Sequence, residues 1–290
     1  MKKRLSICIY SLASGGAERV VSILLDELKD EFDITLVLMN NTIFYHLPQD
    51  VDLVYIENSK PFENGFLKLL KLPLLALKYK KICKDKQIDI SFSFMNRPNY
   101  INILSNMFGN KIKIIISERI APSQEYKTNS IKDMVSRFLI KYLYPKADVI
   151  IPNSLGIKLD LINDFDIPSS KINVIHNPIN LEKVYKLSKE IIDYDFSRFT
   201  FITIGRLQNQ KNHKLMISSF ADVKNINSQL LIIGSGELES SLKNQICNLG
   251  LENRVFLLGN QENPYKYLSK ADCFVFSSDY EGFQIGRAHV

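Results

Sequence analysis

The 290-residue sequence has few cysteines and histidines, and neither residue type is clustered. Its four cysteines are widely scattered and lack the spacing of a metal site or a redox pair. Cys8 and Cys273 fall inside apolar runs, so we expect buried, reduced thiols there. Asp-x-Asp pairs at 164–166 and 193–195 have a spacing that can hold a divalent cation, but both occur in poorly patterned segments. The sequence therefore predicts no metal site.

Long hydrophobic runs are also missing. No uncharged apolar stretch is long enough to cross a bilayer, and the run after the basic N-terminal residues is short and strand-like, so no signal peptide is predicted. The net charge of +6 is modest, and aromatic residues are not interleaved with basic ones in the manner of a nucleic-acid-binding groove. We therefore expect a cytoplasmic protein that does not bind nucleic acid.

Strand and helix signals alternate from end to end, which predicts an α/β fold with parallel sheets and crossover helices. The pattern predicts one doubly wound domain over residues 1–180, a linker over 181–198 and a second such domain over 199–283. Consecutive domains of this kind predict a ligand cleft between them. The predicted strands are Leu5–Tyr10, Ile34–Met39, Ile88–Phe94, Lys111–Ser117, Asp148–Pro152, Ile172–His176, Phe201–Gly205, Gln229–Gly234, Arg254–Leu258 and Asp272–Ser277.

Two cations follow the first strand of the second domain. Arg206 comes directly after Gly205, and Lys211 lies just before a predicted helix. An arginine fork, a lysine ammonium and a helix N-terminus are groups that bind phosphate oxygens. The alternative is a pair of solvated cations on a surface loop, and spacing alone leaves the two interpretations equally open.

Glycines occupy two further loops. Gly234 and Gly236 follow the next strand, where we expect a backbone role at a phosphate-binding loop or simply a turn before a capped helix. Gly15 and Gly16 separate the first strand from the first helix, in a pattern that is neither a P-loop nor a dinucleotide fingerprint. They form either a tight turn or a floor on which a phosphate or sugar can rest.

Glu281 follows the last predicted strand and precedes Gly282. It is either an ordinary loop carboxylate or an acceptor for sugar hydroxyls. Loops at the carboxyl ends of strands are where an α/β sheet builds its ligand site. Two cations, glycines and a carboxylate on three such loops suggest a bound diphosphate with a hydroxyl-rich group beside it.

The segment Phe66–Lys86 is dense in leucine and carries seven lysines and one aspartate. A basic amphipathic helix of this kind can lie on an anionic membrane surface, and a second basic helix is predicted at Ile131–Lys146. The alternative is a core-packing helix with solvated lysines, and the two interpretations remain about equally open. Pro73 would kink the first helix or end a short one before it.

Four motifs together resemble glycosyltransferase family 4, whose members have two Rossmann-like domains in the GT-B arrangement. They are Ser14-Gly-Gly-Ala-Glu-Arg19, Ile204-Gly-Arg-Leu207 with Lys211, Ile233-Gly-Ser-Gly-Glu237 with Leu242, and Ser278-Asp-Tyr-Glu-Gly-Phe283. The first half is most similar to bacterial N-acetylgalactosaminyltransferases that extend glycans on undecaprenyl diphosphate. That narrower resemblance rests on Leu72-Pro-Leu-Leu-Ala-Leu-Lys-Tyr-Lys-Lys81, Asn96-Arg-Pro-Asn-Tyr100 and Tyr144-Pro-Lys-Ala-Asp148.

The resemblance implies a retaining hexosyltransferase that moves GalNAc or another N-acetylhexosamine from a UDP-sugar to an undecaprenyl-diphosphate-linked glycan. Arg206 and Lys211 would hold the donor diphosphate, Glu281 would contact the donor sugar, and Gly15 and Gly16 would face the reaction centre from the acceptor domain. No metal is implied. The enzyme would be peripheral on the inner face of the bacterial inner membrane.

The sequence departs from the family pattern near its end. Eight residues after Glu281 the family has a second glutamate, whereas this chain has His289, and Gln284 stands where proline is usual. Codons for Ile285–Val290 can spell the start of a common sequencing adapter. We therefore expect residues 284–290 to be a non-native tail, and a chain truncated within its second domain to be inactive.

Two other functions remain open at this stage. A GT-B nucleotide-sugar epimerase would share the two-domain architecture, although no acid/base residues for it can be identified. The other alternative is a nucleotide-sugar-binding fragment without turnover. The loop Ser117-Glu-Arg119 stands where the family often has a histidine near the sugar, and no role is assigned to it.

Overall fold

The computed structural model describes residues 2–58, 65–128, 130–279 and 281. Gly282, on which part of the family motif falls, and the predicted tail 284–290 lie outside them. The strands within the described residues are β1 (Lys3–Ile9), β2 (Phe32–Leu38), β3 (Asp52–Tyr55), β4 (Ile90–Phe94), β5 (Lys113–Glu118), β6 (Val149–Pro152), β7 (Phe199–Ile204), β8 (Ser228–Ile233), β9 (Val255–Gly259) and β10 (Cys273–Phe274). The α-helices are α1 (Gly16–Leu28), α2 (Gly65–Leu70), α3 (Leu72–Asp85), α4 (Asn96–Met107), α5 (Pro122–Glu125), α6 (Ile131–Leu143), α7 (Leu155–Phe165), α8 (Leu181–Ser188), α9 (His213–Ala221), α10 (Glu239–Asn248) and α11 (Tyr265–Leu268).

The first six strands form one parallel sheet in the order β3-β2-β1-β4-β5-β6. This is the strand order of a doubly wound dinucleotide-binding fold. Helices cover both faces, so side chains on both faces of the central strands are buried, including the serines Ser6, Ser91 and Ser93. In β1, Leu5 and Ile7 pack into one core cluster while Cys8 packs into the other. Because the order reverses between β1 and β4, the loops after these strands diverge and leave a crevice at the carboxyl edge.

The last four strands form a second parallel sheet in the order β10-β7-β8-β9. Every residue of β8 is buried, because α9 and α10 pack on one face and α11 with aromatic side chains covers the other. The strand β7 lies between β8 and β10, so the loops that follow these three strands are neighbours. The expectation of parallel α/β sheets is confirmed.

The chain divides into two compact units between Pro178 and Ile179. The segment 181–198, predicted to be a linker, contains α8 and belongs to the second unit. Asn263 donates to the Leu187 carbonyl at 2.8 Å and thereby fixes α8 within that unit. The many charged residues of the segment obscured a short helix with one half-buried face.

Three local expectations differ from the structure. The edge strand β3 was not predicted, because it is short and only partly buried. The predicted strand Ile172–His176 makes only an isolated bridge, between Ile150 and Ile172. Within the predicted strand Asp272–Ser277, only Cys273 and Phe274 are in a strand, β10. Cys273 is partly exposed rather than buried, because β10 lies at the edge of the second sheet as far as the described residues extend.

The basic segment forms two helices rather than one. Helix α2 ends at Leu70, and Pro73 occupies the first turn of α3, where its missing N–H costs no helix hydrogen bond. Leu75 and Tyr79 of α3 are buried, whereas Leu74 and Leu77 are exposed on another face. None of the helices within the described residues combines the length and the hydropathy that a membrane crossing requires.

Candidate active site

Lys211 lies at the end of a 3₁₀ turn, Asn209–Lys211, directly before α9. The next residue, Asn212, has a left-handed backbone and caps α9 by accepting from the Leu215 N–H. Asparagine tolerates this conformation better than most residues, and its side chain satisfies one of the unpaired amides of the helix N-terminus. The turn therefore fixes the lysine at the positive end of a helix.

The loop after β10 wraps around this turn. The Ser277 hydroxyl donates to the Lys211 carbonyl at 2.9 Å, and the Asp279 amide donates to the Gln210 carbonyl at 2.9 Å. The Asn212 side chain donates to Asp279 Oδ1 at 2.9 Å. These bonds connect two loops that are distant in sequence, and they hold the region before Glu281 against the lysine.

Glu281 and Lys211 meet in the second unit. Lys211 Nζ lies 2.5 Å from Glu281 Oε1, and both side chains are only about a fifth exposed, at 23% and 20%. The same ammonium lies 5.6 Å from the centroid of the Phe276 ring. A cation and a carboxylate in contact are therefore held on an apolar surface, next to a helix N-terminus.

His213, the first residue of α9, is buried beside this pair. Burial and then the Lys211 charge lower the pKa of His213 to about 4, so its ring is neutral at pH 7. Because His213 is neutral, the positive charge near the pair is carried by Lys211 and by Arg206, which is exposed on the same β7–α9 loop.

Two glycines allow the loops after β7 and β8 to pair beyond the ends of their strands. A Cβ on Gly234, where φ is +143°, would lie 2.0 Å from the Gly205 carbonyl oxygen, and a Cβ on Gly236 would lie 2.5 Å from that of Leu207. The Leu207 amide donates to Ser235 at 3.0 Å. Side chains at these two positions would separate the loops.

Gly205 borders the lysine side chain itself. A Cβ there would lie 3.4 Å from Cδ and Cε of Lys211. The Gly205 amide donates to the Ile233 carbonyl at 2.9 Å, which extends the β7–β8 ladder by one residue. The 3.4 Å separation is an ordinary van der Waals distance, so the packing of the Lys211 stem does not by itself require glycine at position 205.

The predicted glycine loop of the first unit forms the start of α1. Gly15 is its N-cap in an extended conformation, and the Gly15 carbonyl accepts from the Arg19 amide at 2.9 Å. The Tyr45 hydroxyl also donates to this carbonyl, at 3.3 Å. A Cβ on Gly16 would meet nothing within 4 Å, so packing within the first unit does not require glycine there.

A buried polar cluster in the first unit was not predicted. Glu118 ends β5, is fully buried and accepts a hydrogen bond from the Tyr144 hydroxyl or donates one to it at 2.6 Å. Asn96 and Asn99, from the start of α4, contact the same hydroxyl at 2.9 and 3.2 Å. Glu118 follows three isoleucines and Ser117 in β5, a pattern that an ordinary carboxylate at a strand end shares, so the sequence did not indicate this cluster.

The Asp-x-Asp pairs have structural uses. Asp166 ends α7 and pairs with Lys141 at 2.5 Å, and Asp195 accepts from the Ser197 amide at 2.8 Å. Within the part of the chain that the structure describes, no three His, Cys, Asp or Glu side chains are grouped so that they could hold a metal ion.

Known protein families match the sequences of both units. Residues 14–183 match the family described as Glycosyltransferase Family 4, and residues 188–285 match Glycosyl transferases group 1. The chain belongs to glycosyltransferase family 4. It is accordingly a hexosyltransferase, and the expected family and enzyme class are confirmed.

Named relatives of this glycosyltransferase include two proteins of Campylobacter jejuni. An N-acetylgalactosamine-N,N'-diacetylbacillosaminyl-diphospho-undecaprenol 4-alpha-N-acetylgalactosaminyltransferase is 46% identical over 281 residues, which are 97% of this chain and 76% of that protein. A GalNAc-alpha-(1->4)-GalNAc-alpha-(1->3)-diNAcBac-PP-undecaprenol alpha-1,4-N-acetyl-D-galactosaminyltransferase is 27% identical over 285 residues, 96% of this chain and 74% of that protein.

Solved structures agree with the fold of the glycosyltransferase. Anabaena HepE in complex with UDP and glucose superimposes with a TM-score of 0.73 at 17% identity, over 95% of this chain and 74% of that one. Sucrose-phosphate synthase from Thermosynechococcus elongatus superimposes with a TM-score of 0.78 at 13% identity, over 98% of this chain and 77% of that one. The expected GT-B architecture is confirmed.

Proposed function

We propose that the protein transfers GalNAc, or another N-acetylhexosamine, from a UDP-sugar to a glycan carried on undecaprenyl diphosphate, with retention of anomeric configuration. The support is the 46% identity with the Campylobacter protein whose name describes such a transfer, across nearly the whole of this chain. Residues of both units support this assignment, and they fall into a donor set and an acceptor set.

The contact between Lys211 and Glu281 carries the donor assignment. The Lys211 ammonium would bind the donor diphosphate together with the Arg206 guanidinium, and the Glu281 carboxylate would accept from hydroxyls of the donor sugar. As the bond to the anomeric carbon breaks, negative charge grows on the departing diphosphate. Cations fixed at that position stabilise the transition state more than the ground state.

The two charged groups neutralise each other at 2.5 Å. A bound UDP-sugar would exchange this contact for two others, because its phosphates compete for the ammonium and its hydroxyls compete for the carboxylate. Gly234 and Gly236 contribute backbone rather than side-chain chemistry, since they allow the two loops to approach each other. Gly205 contributes its amide, which extends the β7–β8 ladder beside Lys211. The open space over Gly16, with Gly15 beside it, suits an acceptor sugar close to the backbone.

An acceptor with a lipid anchor requires the enzyme to work at a membrane surface, and α2 and α3 carry a suitable face. Leucines at helical spacing remain exposed there, and lysines continue the same face of α3. Because an anionic surface attracts each nearby lysine by about 1 kcal/mol, this face favours an anionic bilayer. The exposed residues of this face, which we name the α2–α3 face, are Leu67, Leu70, Leu74, Leu77, Lys78 and Lys81.

Helix α6 adds a second exposed stripe in the same layer, since α4 packs against both α3 and α6. Ile131 is 79% exposed and Phe138 is 64% exposed, which is unusual for large apolar side chains that have no membrane or protein partner. Lys146 lies over the Tyr142 ring at 4.6 Å, so its charge sits beside the stripe. We name Ile131, Met134, Phe138 and Tyr142 the α6 stripe.

Transfer is tested with protein from the complete reading frame, radiolabelled UDP-GalNAc and a short-chain polyprenyl-diphosphate glycan. Labelled glycolipid that appears only with both substrates supports the proposal, and an α-configured product linkage by nuclear magnetic resonance supports retention. Release of a free epimeric nucleotide sugar, or binding without any product, contradicts it. Offering UDP-GlcNAc and UDP-glucose in parallel identifies the donor sugar.

A further inference from the structure

A buried hydrogen-bond network joins three loops at the carboxyl edge of the first sheet. We name Glu118, Tyr144, Asn96, Glu125 and Tyr126 the Glu118 network. Tyr144 contacts Glu118 Oε2 at 2.6 Å and Asn96 Oδ1 at 2.9 Å, and Asn96 Nδ2 lies 3.1 Å from Glu125 Oε2 and 2.7 Å from the Tyr126 hydroxyl. The network therefore links the ends of β4 and β5 with α5.

The hydrogens of this network can be counted. A tyrosine hydroxyl has one proton to donate, yet the Tyr144 oxygen faces two oxygen atoms at hydrogen-bond distance. Asn99 supplies an N–H to the Tyr144 oxygen rather than an acceptor, because its Nδ2 is fixed by the Ser117 carbonyl at 3.0 Å. If Tyr144 donates to Asn96, the contact with Glu118 needs a proton on the carboxyl group.

Rotating the side-chain amide of Asn96 by 180° only moves the required proton from Glu118 to Glu125. The amide nitrogen would then donate to Tyr144, whose own proton would go to Glu118. The amide oxygen would instead face the Glu125 carboxylate, so that a proton would be needed on Glu125. Either orientation leaves the two carboxyl groups, one buried and one partly buried, with one proton between them, as happens when like charges share a site.

Two observations assign the proton to Glu118. The Glu118 side chain is fully buried, whereas Glu125 is only partly buried. Burial also raises the pKa of Glu125, but hydrogen bonds from Tyr126 and Asn96 and the Lys132 charge oppose that rise. Burial first, and the Glu125 charge as well, raise the pKa of Glu118 to about 7. The titratable and charged groups around the two carboxyls are Tyr100, Arg119, Tyr126, Lys132, Asp133 and Tyr144.

The loop held by this carboxyl group carries a cation. Glu118 Oε1 accepts from the Arg119 amide at 2.9 Å. The Arg119 guanidinium lies 5.0 Å from the centroid of the Phe94 ring and donates to Asn177 Oδ1 at 2.6 Å. Beside it, Met95 has a φ of +74°, a conformation that non-glycine residues keep only when the surroundings enforce it. The backbone that follows β4 at the carboxyl edge of the sheet is therefore held in one conformation by its surroundings.

We propose that Glu118 holds the single proton of this network and, in that form, positions the Arg119 loop for glycosyl transfer. Glu118 is a positioning residue, because it acts through the loop rather than on a substrate. This role rests on the proposed function of the first unit in acceptor binding. Loss of the proton would leave the buried Glu118 carboxylate linked through Tyr144 and Asn96 to a second carboxylate, Glu125, so the loop would lose its fixed position as pH rises.

Infrared difference spectroscopy tests the proton without any assay of transfer. Spectra of the unmodified protein recorded across pH about 7 should contain a protonated carboxyl C=O band that disappears as pH rises. The band should be missing in Glu118→Gln and should remain in Glu125→Gln, which is the matched control within the same network. Absence of the band in the unmodified protein, or its survival in Glu118→Gln, overturns the assignment.

The positioning role has a separate readout in the pH profile of transfer. In the unmodified protein, kcat should fall as pH rises through about 7 while the donor KM changes little. Glutamine resembles the protonated carboxyl, so this limb should move to higher pH in Glu118→Gln. The same midpoint in both proteins overturns the role of Glu118 in transfer. An infrared band without any transfer in either protein would instead reject the proposed function, and the positioning role with it.

Discussion

Lys211 and Glu281 are 70 residues apart in the sequence, yet their charged atoms are 2.5 Å apart. The contact arises because β10 pairs with β7, so the loops that follow these two strands lie side by side. Ser277 and Asp279 then bind the backbone of the lysine turn. The pair supplies the two opposite charges of the proposed donor site and provides a direct way to test that proposal.

Lys211→Ala should lower kcat by about 100-fold or more, the usual effect of removing one fixed group that stabilises transition-state charge. Arg206→Ala should act in the same direction. Arg206→Ala should leave the thermal unfolding temperature nearly unchanged, because an exposed charge contributes little to stability. Lys211→Ala should lower it slightly, because Glu281 loses its ion-pair partner while about a fifth of its side chain still faces water. Steady-state kinetics with UDP-GalNAc provide the measurement, and rates near those of the unmodified protein in both variants would contradict the diphosphate assignment.

Glu281→Gln should have opposite effects on binding and on turnover. Removing the carboxylate frees the Lys211 ammonium, so UDP without a sugar should bind about two- to fivefold more tightly, which corresponds to an ion pair of up to about 1 kcal/mol. Transfer should slow, because the donor sugar loses its acceptor group. Calorimetry with UDP and kinetics with UDP-GalNAc separate the two effects. Weaker UDP binding in the variant would show that the carboxylate does not compete for the lysine.

Two glycine variants separate loop packing from acceptor binding. Gly236→Ala places a Cβ 2.5 Å from the Leu207 carbonyl oxygen and should destabilise the protein by about 1–3 kcal/mol. Gly16→Ala meets nothing within 4 Å, so unfolding by urea should be unchanged, whereas transfer to the glycan acceptor should fall. Equal stability of both variants would contradict the role of Gly236, and normal transfer by Gly16→Ala would contradict the acceptor floor.

The sequence predicted most strands because a parallel sheet covered on both faces produces continuous apolar runs. The exceptions lie where burial is incomplete. The edge strand β3 is only partly buried, and the strand predicted at Ile172–His176 makes a single bridge. Helix α8 was hidden by the charges of the segment predicted as a linker, since helical periodicity over so few residues is a weak signal.

Candidate site residues were easier to find in the sequence than the contacts between them. Arg206, Lys211 and Glu281 stand in motifs that a sequence displays directly. The contact between Lys211 and Glu281 depends on strand order, which local patterns do not encode. Glu118 gave no signal of its own, because a carboxylate after an apolar strand resembles an ordinary loop residue, and its partners Asn96 and Tyr144 come from other elements.

Membrane docking through the α2–α3 face predicts a charge-dependent interaction. Replacing Lys78 and Lys81 by alanine should weaken binding to vesicles with anionic lipid about 30-fold, because each lysine near the surface contributes about 1 kcal/mol. Binding of the unmodified protein should also weaken as salt rises, since salt screens these charges. Sedimentation with vesicles, with and without anionic lipid, measures both effects.

A matched control is available in the second unit, where Lys224 and Lys270 are equally exposed but lie outside both helices of this face. Their double replacement by alanine removes the same charge and should leave vesicle binding nearly unchanged. Phe138→Ala in the α6 stripe should weaken binding to anionic vesicles without changing its salt dependence, because it removes apolar contact rather than charge. If the control pair weakens binding as much as Lys78 and Lys81 do, the attraction reflects net charge alone and the docking face is wrong.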